Sequence, residues 1–200
     1  MNLFTFETYE EYVHEQTRLT RRKLEKPTLV SATTPGVVAA IKNAHTGQVA
    51  RGLCHGVRRG EEVAMFAEAL GGDWLGTEIT PECCDGVRVL CRDFETIDND
   101  WLGSIDAIYT NAFDHARRPW VALRAWFACL SQTGRLYVEW NPWSARLGRH
   151  GWRGDCFAAS SAEYYELLNT VGRVERALHV PGIPPSPGGN PWEYLVFVCH

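Results

Sequence analysis

From residue 49 onward the chain alternates short apolar runs with stretches whose apolar residues repeat at helical spacing, and this alternation constrains the fold more than any other feature. Residues 49–54 read as a strand and 56–60 as a tight glycine-bounded turn. Val63, Phe66, Ala67 and Leu70 then fall at i, i+3, i+4 and i+7, on one face of a helix that Gly71-Gly72 stops. Strands follow at 74–78, 87–93 and 105–110, the last almost continuously apolar, as a strand covered on both faces should be. Pro119 opens a helix through Leu123, Phe127 and Leu130 that closes near Gly134. A strand at 136–140, a helix at 161–171 and strands at 173–180 and 193–199 complete the pattern. The last two are joined by the connector PGIPPSPGGNP, too long for a tight hairpin. Strands separated by helices build βαβ units, so the expectation is a doubly wound, mostly parallel α/β sheet with helices on both faces.

Two helices precede this pattern. One spans 7–25, with Tyr9, Tyr12, Val13 and Leu19 on one side, and ends at Pro27; the other starts at Thr33 or Thr34 with Pro35 in its first turn and runs to Ala44. The chain therefore divides into an N-terminal helical lid or packing segment, 1–45, and a doubly wound α/β domain, 46–200. At 200 residues with 45% hydrophobic content it can bury a core without metal or disulfide staples. A net charge of -4 excludes a strongly basic nucleic-acid footprint.

No apolar run is long enough for a membrane span, and the acidic, aromatic N-terminus does not read as a leader, so a cytoplasmic protein is expected. The seven cysteines are odd in number, two of them adjacent (Cys83 and Cys84), and none forms a C-x-x-C pair. They read as reduced packing thiols. The histidines show no metal-ligand spacing, and no metal is expected.

In sheets of this kind ligands bind beyond the carboxyl ends of the strands, where strand order reverses. The first strand ends in Cys54-His55-Gly56-Val57-Arg58-Arg59-Gly60. Gly56 and Gly60 allow a sharp turn and close backbone approach. Arg58 occupies the place of the second glycine in G-x-G-x-x-G, where a pyrophosphate needs the closest approach, which argues against a dinucleotide enzyme. A ligand with a nucleoside and an amino-acid tail suits the turn better. Glu78, at the end of the second strand, can accept hydrogen bonds from two ribose hydroxyls; Asp93 ends the third strand, placed for an adenine amino group. Asn111 ends the fourth and is followed by Asp114 and His115.

These residues resemble the class I S-adenosylmethionine-dependent methyltransferases, from about residue 49 to 140 and more loosely through the final two strands. The resemblance implies a seven-stranded sheet with an antiparallel last strand and S-adenosylmethionine as cofactor. It implies that Gly56 and Gly60 belong to the glycine motif, that Glu78 holds the ribose, that Asp93 lies beside the adenine and that Asn111 lies near the methionine end and the acceptor, with Cys54, Arg58 and Phe94 counted among the cofactor-binding residues. Cys54 stands where the family has an acid, and Arg58 where it has a glycine.

Methyl transfer from a sulfonium needs mainly in-line positioning of a nucleophile. His115, with Asp114 beside it, is the expected base. Trp140, Trp143 and Trp152, together with Arg146, Arg149, His150 and Arg153, crowd the segment after the fifth strand. They suit a small-molecule or glycan acceptor, or stacking on single-stranded RNA. The alternatives are a non-catalytic methyltransferase-like binding or scaffold module, and an RNA methyltransferase. Trp120 and Trp126 are expected in the core.

Overall fold

The computed structural model describes residues 1–25, 33–145, 154–181 and 193–200. Helix starts follow from side-chain caps. Thr8 accepts the Glu11 N–H at the head of α1 (Tyr9–Leu24), whose first turn carries Glu10 and Glu11 and whose last carries Arg21, Arg22 and Lys23, in keeping with the helix dipole. Thr34 caps α2 (Pro35–Ala44), with Pro35 in the first turn.

The chain continues through β2 (Arg51–His55), α3 (Glu61–Leu70), β3 (Asp73–Glu78), β4 (Val89–Cys91), β5 (Ile105–Thr110), α4 (Pro119–Cys129) and β6 (Leu130–Trp140). It closes with β7 (Phe157–Ala158), α5 (Ser161–Asn169), β8 (Val174–Pro181) and β9 (Glu193–Cys199). A reciprocal Ser160–Glu163 capping box starts α5. A short strand β1 (Asn2–Leu3) pairs antiparallel with β7, apart from the main sheet.

The main sheet has seven strands in the order β4-β3-β2-β5-β6-β9-β8. Neighbours from β4 to β6 are parallel, and β9 runs antiparallel to both β6 and β8, as the doubly wound reading and the resemblance require. Strand order reverses between β2 and β5, which places a crevice beyond the tips of those two strands.

Alternating side chains build a core on each face. On one, Leu53, Ile108, Leu136 and Val138 meet Leu123 and Trp126 of α4 and Tyr164 and Leu168 of α5. On the other, Cys54, Tyr109, Tyr137 and Val196 meet Val37, Val38 and Ile41 of α2 and Val63 and Phe66 of α3. The helix α2 thus shares a core with the sheet. Truncating a fully buried aromatic such as Trp126 costs about 3–5 kcal/mol.

Four expectations shift. β4 begins at Val89, not at 87, because the Asp85 carboxylate accepts the N–H groups of Val87, Arg88 and Val89 and coils the chain, leaving Val87 75% exposed. α4 ends at Cys129 and β6 starts at once, with its register shifted between Ile105 and Ala107 of β5. Trp126 is fully buried but Trp120 is 38% exposed on the outer side of α4. The inward residues of α1 are Tyr12, Gln16 and Thr17, because this helix docks on polar loop backbone instead of an apolar layer.

Of the seven free cysteines, Cys54, Cys129, Cys156 and Cys199 are buried. No helix among the described residues is long and apolar enough to cross a membrane.

Candidate cofactor and acceptor site

Three residues of the turn from β2 to α3 take positive φ: Gly56 at 77°, Arg58 at 48° and Gly60 at 77°. Among the described residues Arg58 is the one non-glycine there, a conformation that costs an L-residue about 1–2 kcal/mol. The turn is tied to β3, since the N–H groups of Gly56 and Val57 both donate to the Thr77 carbonyl at 2.8 and 3.2 Å. A side chain at Gly56 would bring its Cβ within 2.6 Å of the Ala112 Cβ and 3.2 Å of Phe94. Gly56 is thus needed both for its φ and for close approach to the loop after β5.

Arg58 then aims its backbone N–H at Glu78 Oε2, 2.9 Å away. Oε1 of the same buried carboxylate accepts from Ile79 and Thr80 N–H at 3.0 and 3.1 Å. Three of a carboxylate's roughly four acceptor positions are filled, and one remains for a hydroxyl. Gly60 heads α3 without any side-chain cap.

Asp93 is engaged by its own chain. Oδ1 accepts from Glu95 N–H, Thr96 N–H and the Thr96 hydroxyl, and Oδ2 accepts the Tyr9 hydroxyl at 2.6 Å. Burial works against its ionised form, but the bonds from Thr96 and Tyr9 outweigh it and hold Asp93 below the usual range. Phe94 is buried edge-on to His55 and Trp126. Cys54 is fully buried facing α2 and α3, and burial pushes its thiol well up.

His115 is half-buried on the loop after β5. Its Nδ1 donates to the Gly154 carbonyl at 2.7 Å, which leaves Nε2 as an acceptor in the neutral ring. The carboxylate beside it is Asp155, with Oδ1 3.7 Å from Nδ1; sequence proximity pointed to Asp114. Burial and then Asp114 raise the Asp155 pKa.

Helix α1 lies across these loops. Tyr9 reaches Asp93, Tyr12 donates to the His115 carbonyl, Gln16 donates to the Gly154 carbonyl, and Arg21 pairs with Glu82. Arg59 in turn donates to the Leu24 carbonyl. Lys23 sits in the same region, its pKa lowered by burial and Arg58 and drawn back up by Asp114, Asp155 and Glu78. The expected lid segment therefore touches the loops following β2, β3, β4, β5 and β6.

A further group was not foreseen. At the tips of β5 and β6 the Tyr109 hydroxyl donates to Glu139 Oε2 at 2.6 Å and lies 2.8 Å from Thr33 Oγ1. Asn111 Nδ2 donates to that Thr33 oxygen at 2.9 Å, and Thr33 Oγ1 lies 3.5 Å from Glu62 Oε1. Glu139 is 2% exposed, and burial raises its pKa to about 7. Trp140 is half-buried and donates to the Ala159 carbonyl. The side chain of Trp143 and all of Arg146, Arg149, His150, Trp152 and Arg153 lie outside the described residues. Among the described residues no cluster of three or more metal-ligating side chains occurs.

No protein-family model and no curated protein matches the sequence. Solved structures match the fold. The 1,6-didemethyltoxoflavin-N1-methyltransferase of Burkholderia thailandensis, bound to 1,6-didemethyltoxoflavin and S-adenosylhomocysteine, aligns with a TM-score of 0.72 at 18% identity, over 98% of this chain and 91% of that one. A chain from the complex between the Haloferax volcanii Trm112 methyltransferase activator and a candidate methyltransferase gives 0.73 at 16%, over 94% and 96%. An Aquifex aeolicus S-adenosylmethionine-dependent methyltransferase gives 0.64 at 14%, over 90% and 96%. The fold is that of the class I S-adenosylmethionine-dependent methyltransferases, as the resemblance implied.

Proposed function

We propose that this chain is an S-adenosylmethionine-dependent methyltransferase acting on a small-molecule acceptor at an oxygen or nitrogen atom. The observation that carries the reading is the β2–α3 turn. Arg58 holds a left-handed conformation at the place of the family's central glycine, and its N–H fixes the Glu78 carboxylate with one acceptor position left for a ribose hydroxyl. The residues present fit such a cofactor. Gly56, Arg58 and Gly60 would cradle the amino-acid tail, Glu78 the ribose, Phe94 the base, and Asn111 the methionine end. Asp93 would contribute through the loop it anchors, or directly once Tyr9 lets go of it. When bound, the cofactor supplies an electrophilic methyl on sulfur. His115, its Nδ1 fixed by Gly154, would present Nε2 to the acceptor's proton.

The small-molecule reading draws support from the toxoflavin-type neighbour, whose bound acceptor is a small ring system, and from the net charge of -4. A second reading, a binding module without catalysis, draws support from Cys54, a buried neutral thiol where the family has an acid. Radiolabelled methyl transfer from S-adenosylmethionine into small-molecule, RNA and protein fractions of a cell extract separates them. Label in the small-molecule fraction, lost in His115→Ala, is the expected result. Label confined to RNA would move the acceptor assignment; a chain that binds the cofactor and transfers to none of the three would favour the module.

A further inference from the structure

Cys83, Cys84 and Cys91 follow Glu78 in the sequence, and the fold brings two of these thiols together. Cys84 Sγ lies 3.4 Å from the Glu78 carbonyl oxygen and 3.3 Å from that of Thr80, and Cys91 Sγ lies 3.9 Å from that of Ile79. Both sulfurs thus gather on the carbonyls of three consecutive residues, and the two thiols stand within hydrogen-bonding reach of each other.

The local chain explains the meeting. Parallel pairing of β3 with β4 sets Cys91 opposite Glu78. Between them the chain makes a short helical turn at Pro81–Cys83. Asp85 then gathers the N–H groups of Val87, Arg88 and Val89, while the N–H groups of Asp85 and Gly86 both donate to the Val89 carbonyl. Residues 84–91 are therefore a loop that hydrogen bonds already close, and a disulfide across its ends needs little backbone movement.

Exposure divides the roles. Cys91 is exposed on β4, an edge strand of the sheet; Cys84 is half-buried, and burial followed by its bond with Cys91 pushes its thiol up to about 12. A dissolved oxidant reaches Cys91 first, and Cys84 resolves the product. With a hydroperoxide, the Cys91 sulfur takes the terminal oxygen, the O–O bond breaks and an alcohol leaves (water, from hydrogen peroxide). The Cys84 sulfur then attacks the Cys91 sulfenic acid: the S–S bond forms, the S–O bond breaks, and the hydroxyl leaves with the Cys84 proton as water. The two thiols lose two electrons and the peroxide gains two.

The same few residues orient the acid of the ribose site. Ile79 and Thr80 N–H hold Glu78 Oε1, and the Cys84 S–H faces the carbonyls on either side of them. Oxidation removes that hydrogen, and drawing the two sulfurs to about 2.05 Å moves Cys84 off the 78–80 segment. Resting on the cofactor reading above, we propose that Cys84 and Cys91 are an oxidation site for hydroperoxides, whose disulfide loosens the ribose site at Glu78 and is reset by thiols.

The test treats the full chain with hydrogen peroxide and then with dithiothreitol. Trypsin cuts after Arg88, inside the loop, so the disulfide joins fragment 60–88 to fragment 89–92 in the mass spectrum. The joined pair should form in the parent and in Cys83→Ser, vanish on reduction, and be missing from Cys84→Ser and Cys91→Ser. Calorimetric titration should show S-adenosylhomocysteine binding about tenfold more weakly after oxidation, the equivalent of one hydrogen bond to a charged group. Dithiothreitol should restore the affinity, and Cys91→Ser should bind equally before and after peroxide. A parent that forms no joined pair overturns the oxidation site, whatever its cofactor affinity. A joined pair with unchanged affinity overturns the effect on the ribose site and leaves the cofactor reading standing. A joined pair in a chain that binds S-adenosylhomocysteine neither before nor after oxidation overturns the cofactor reading, and the loosening with it.

Discussion

The Arg58 backbone N–H and the Glu78 carboxylate meet at 2.9 Å across the tips of β2 and β3, in a turn where Arg58 itself sits at φ 48°. One hydrogen bond thus joins the strained turn to the acid that the ribose would meet.

Arg58→Gly should keep the turn and leave stability within about 1 kcal/mol, since relief of left-handed strain offsets added chain entropy. Gly56→Ala should lose about 2–4 kcal/mol, from positive φ together with crowding against Ala112. Urea unfolding of the two variants checks the contrast, and equal losses would contradict it.

His115→Ala should lower methyl transfer about 10²-fold with cofactor affinity unchanged, as removal of a general base does. A loss below about threefold would remove His115 from the mechanism. Asp155→Asn should have the smaller effect, because the Gly154 carbonyl already fixes the ring.

Glu139 and His55 predict opposite slopes of stability with pH. Glu139 titrates at about 7 in the fold against an ordinary 4.5, so the native state holds its proton more tightly than the unfolded chain. That contribution is complete below pH 4.5 and is lost as pH rises to about 7. Glu139→Gln should therefore gain on the parent across this window by a total of about 3 kcal/mol.

Burial lowers His55 from an ordinary 6.5 to about 3; the ring stacks on Trp126 at 5.0 Å and bonds the Thr77 hydroxyl. Here the unfolded chain binds the extra proton, so stability is present above pH 6.5 and lost as pH falls toward 3. His55→Phe should flatten the acid limb by about 5 kcal/mol at its extreme. Chemical denaturation at stepped pH measures both slopes, and a reversed sign for either would refute the corresponding assignment.

Tyr9→Phe removes the hydroxyl that joins α1 to Asp93. The expected loss is about 0.5–1.5 kcal/mol, with faster amide exchange in α1 and the loop after β4 and an unchanged sheet. Uniform exchange changes across the molecule would show that α1 does not act as a separate cover.

Much of the fold was legible because its signals are local. Alternation in β2, β3 and β5, the face formed by Val63, Phe66 and Leu70, and the Thr34-Pro35 cap all lie within a few residues of one another. The glycine turn and Glu78 were legible for the same reason. The start of β4 was not, since Asp85 overrides the apolar pattern of Val87 and Val89 with three hydrogen bonds. Asp155 was missed as the neighbour of His115 because 40 positions separate them, while Asp114 is adjacent. The Glu139 chain could not be read at all. Thr33, Glu62, Tyr109 and Glu139 come from four distant segments, and each looks ordinary alone. Only the parallel register of β5 and β6, with Thr110 beside Val138, sets Asn111 and Glu139 side by side beneath the first turns of α2 and α3.

The most direct test of the account is equilibrium binding of S-adenosylmethionine and S-adenosylhomocysteine to the parent chain and to Glu78→Gln. Micromolar binding to the parent, weakened tenfold or more in a variant whose melting curve is unchanged, is the predicted result. A well-folded parent that binds neither ligand, or a variant that binds both as tightly as the parent, would contradict a cofactor site built on the Arg58–Glu78 pair.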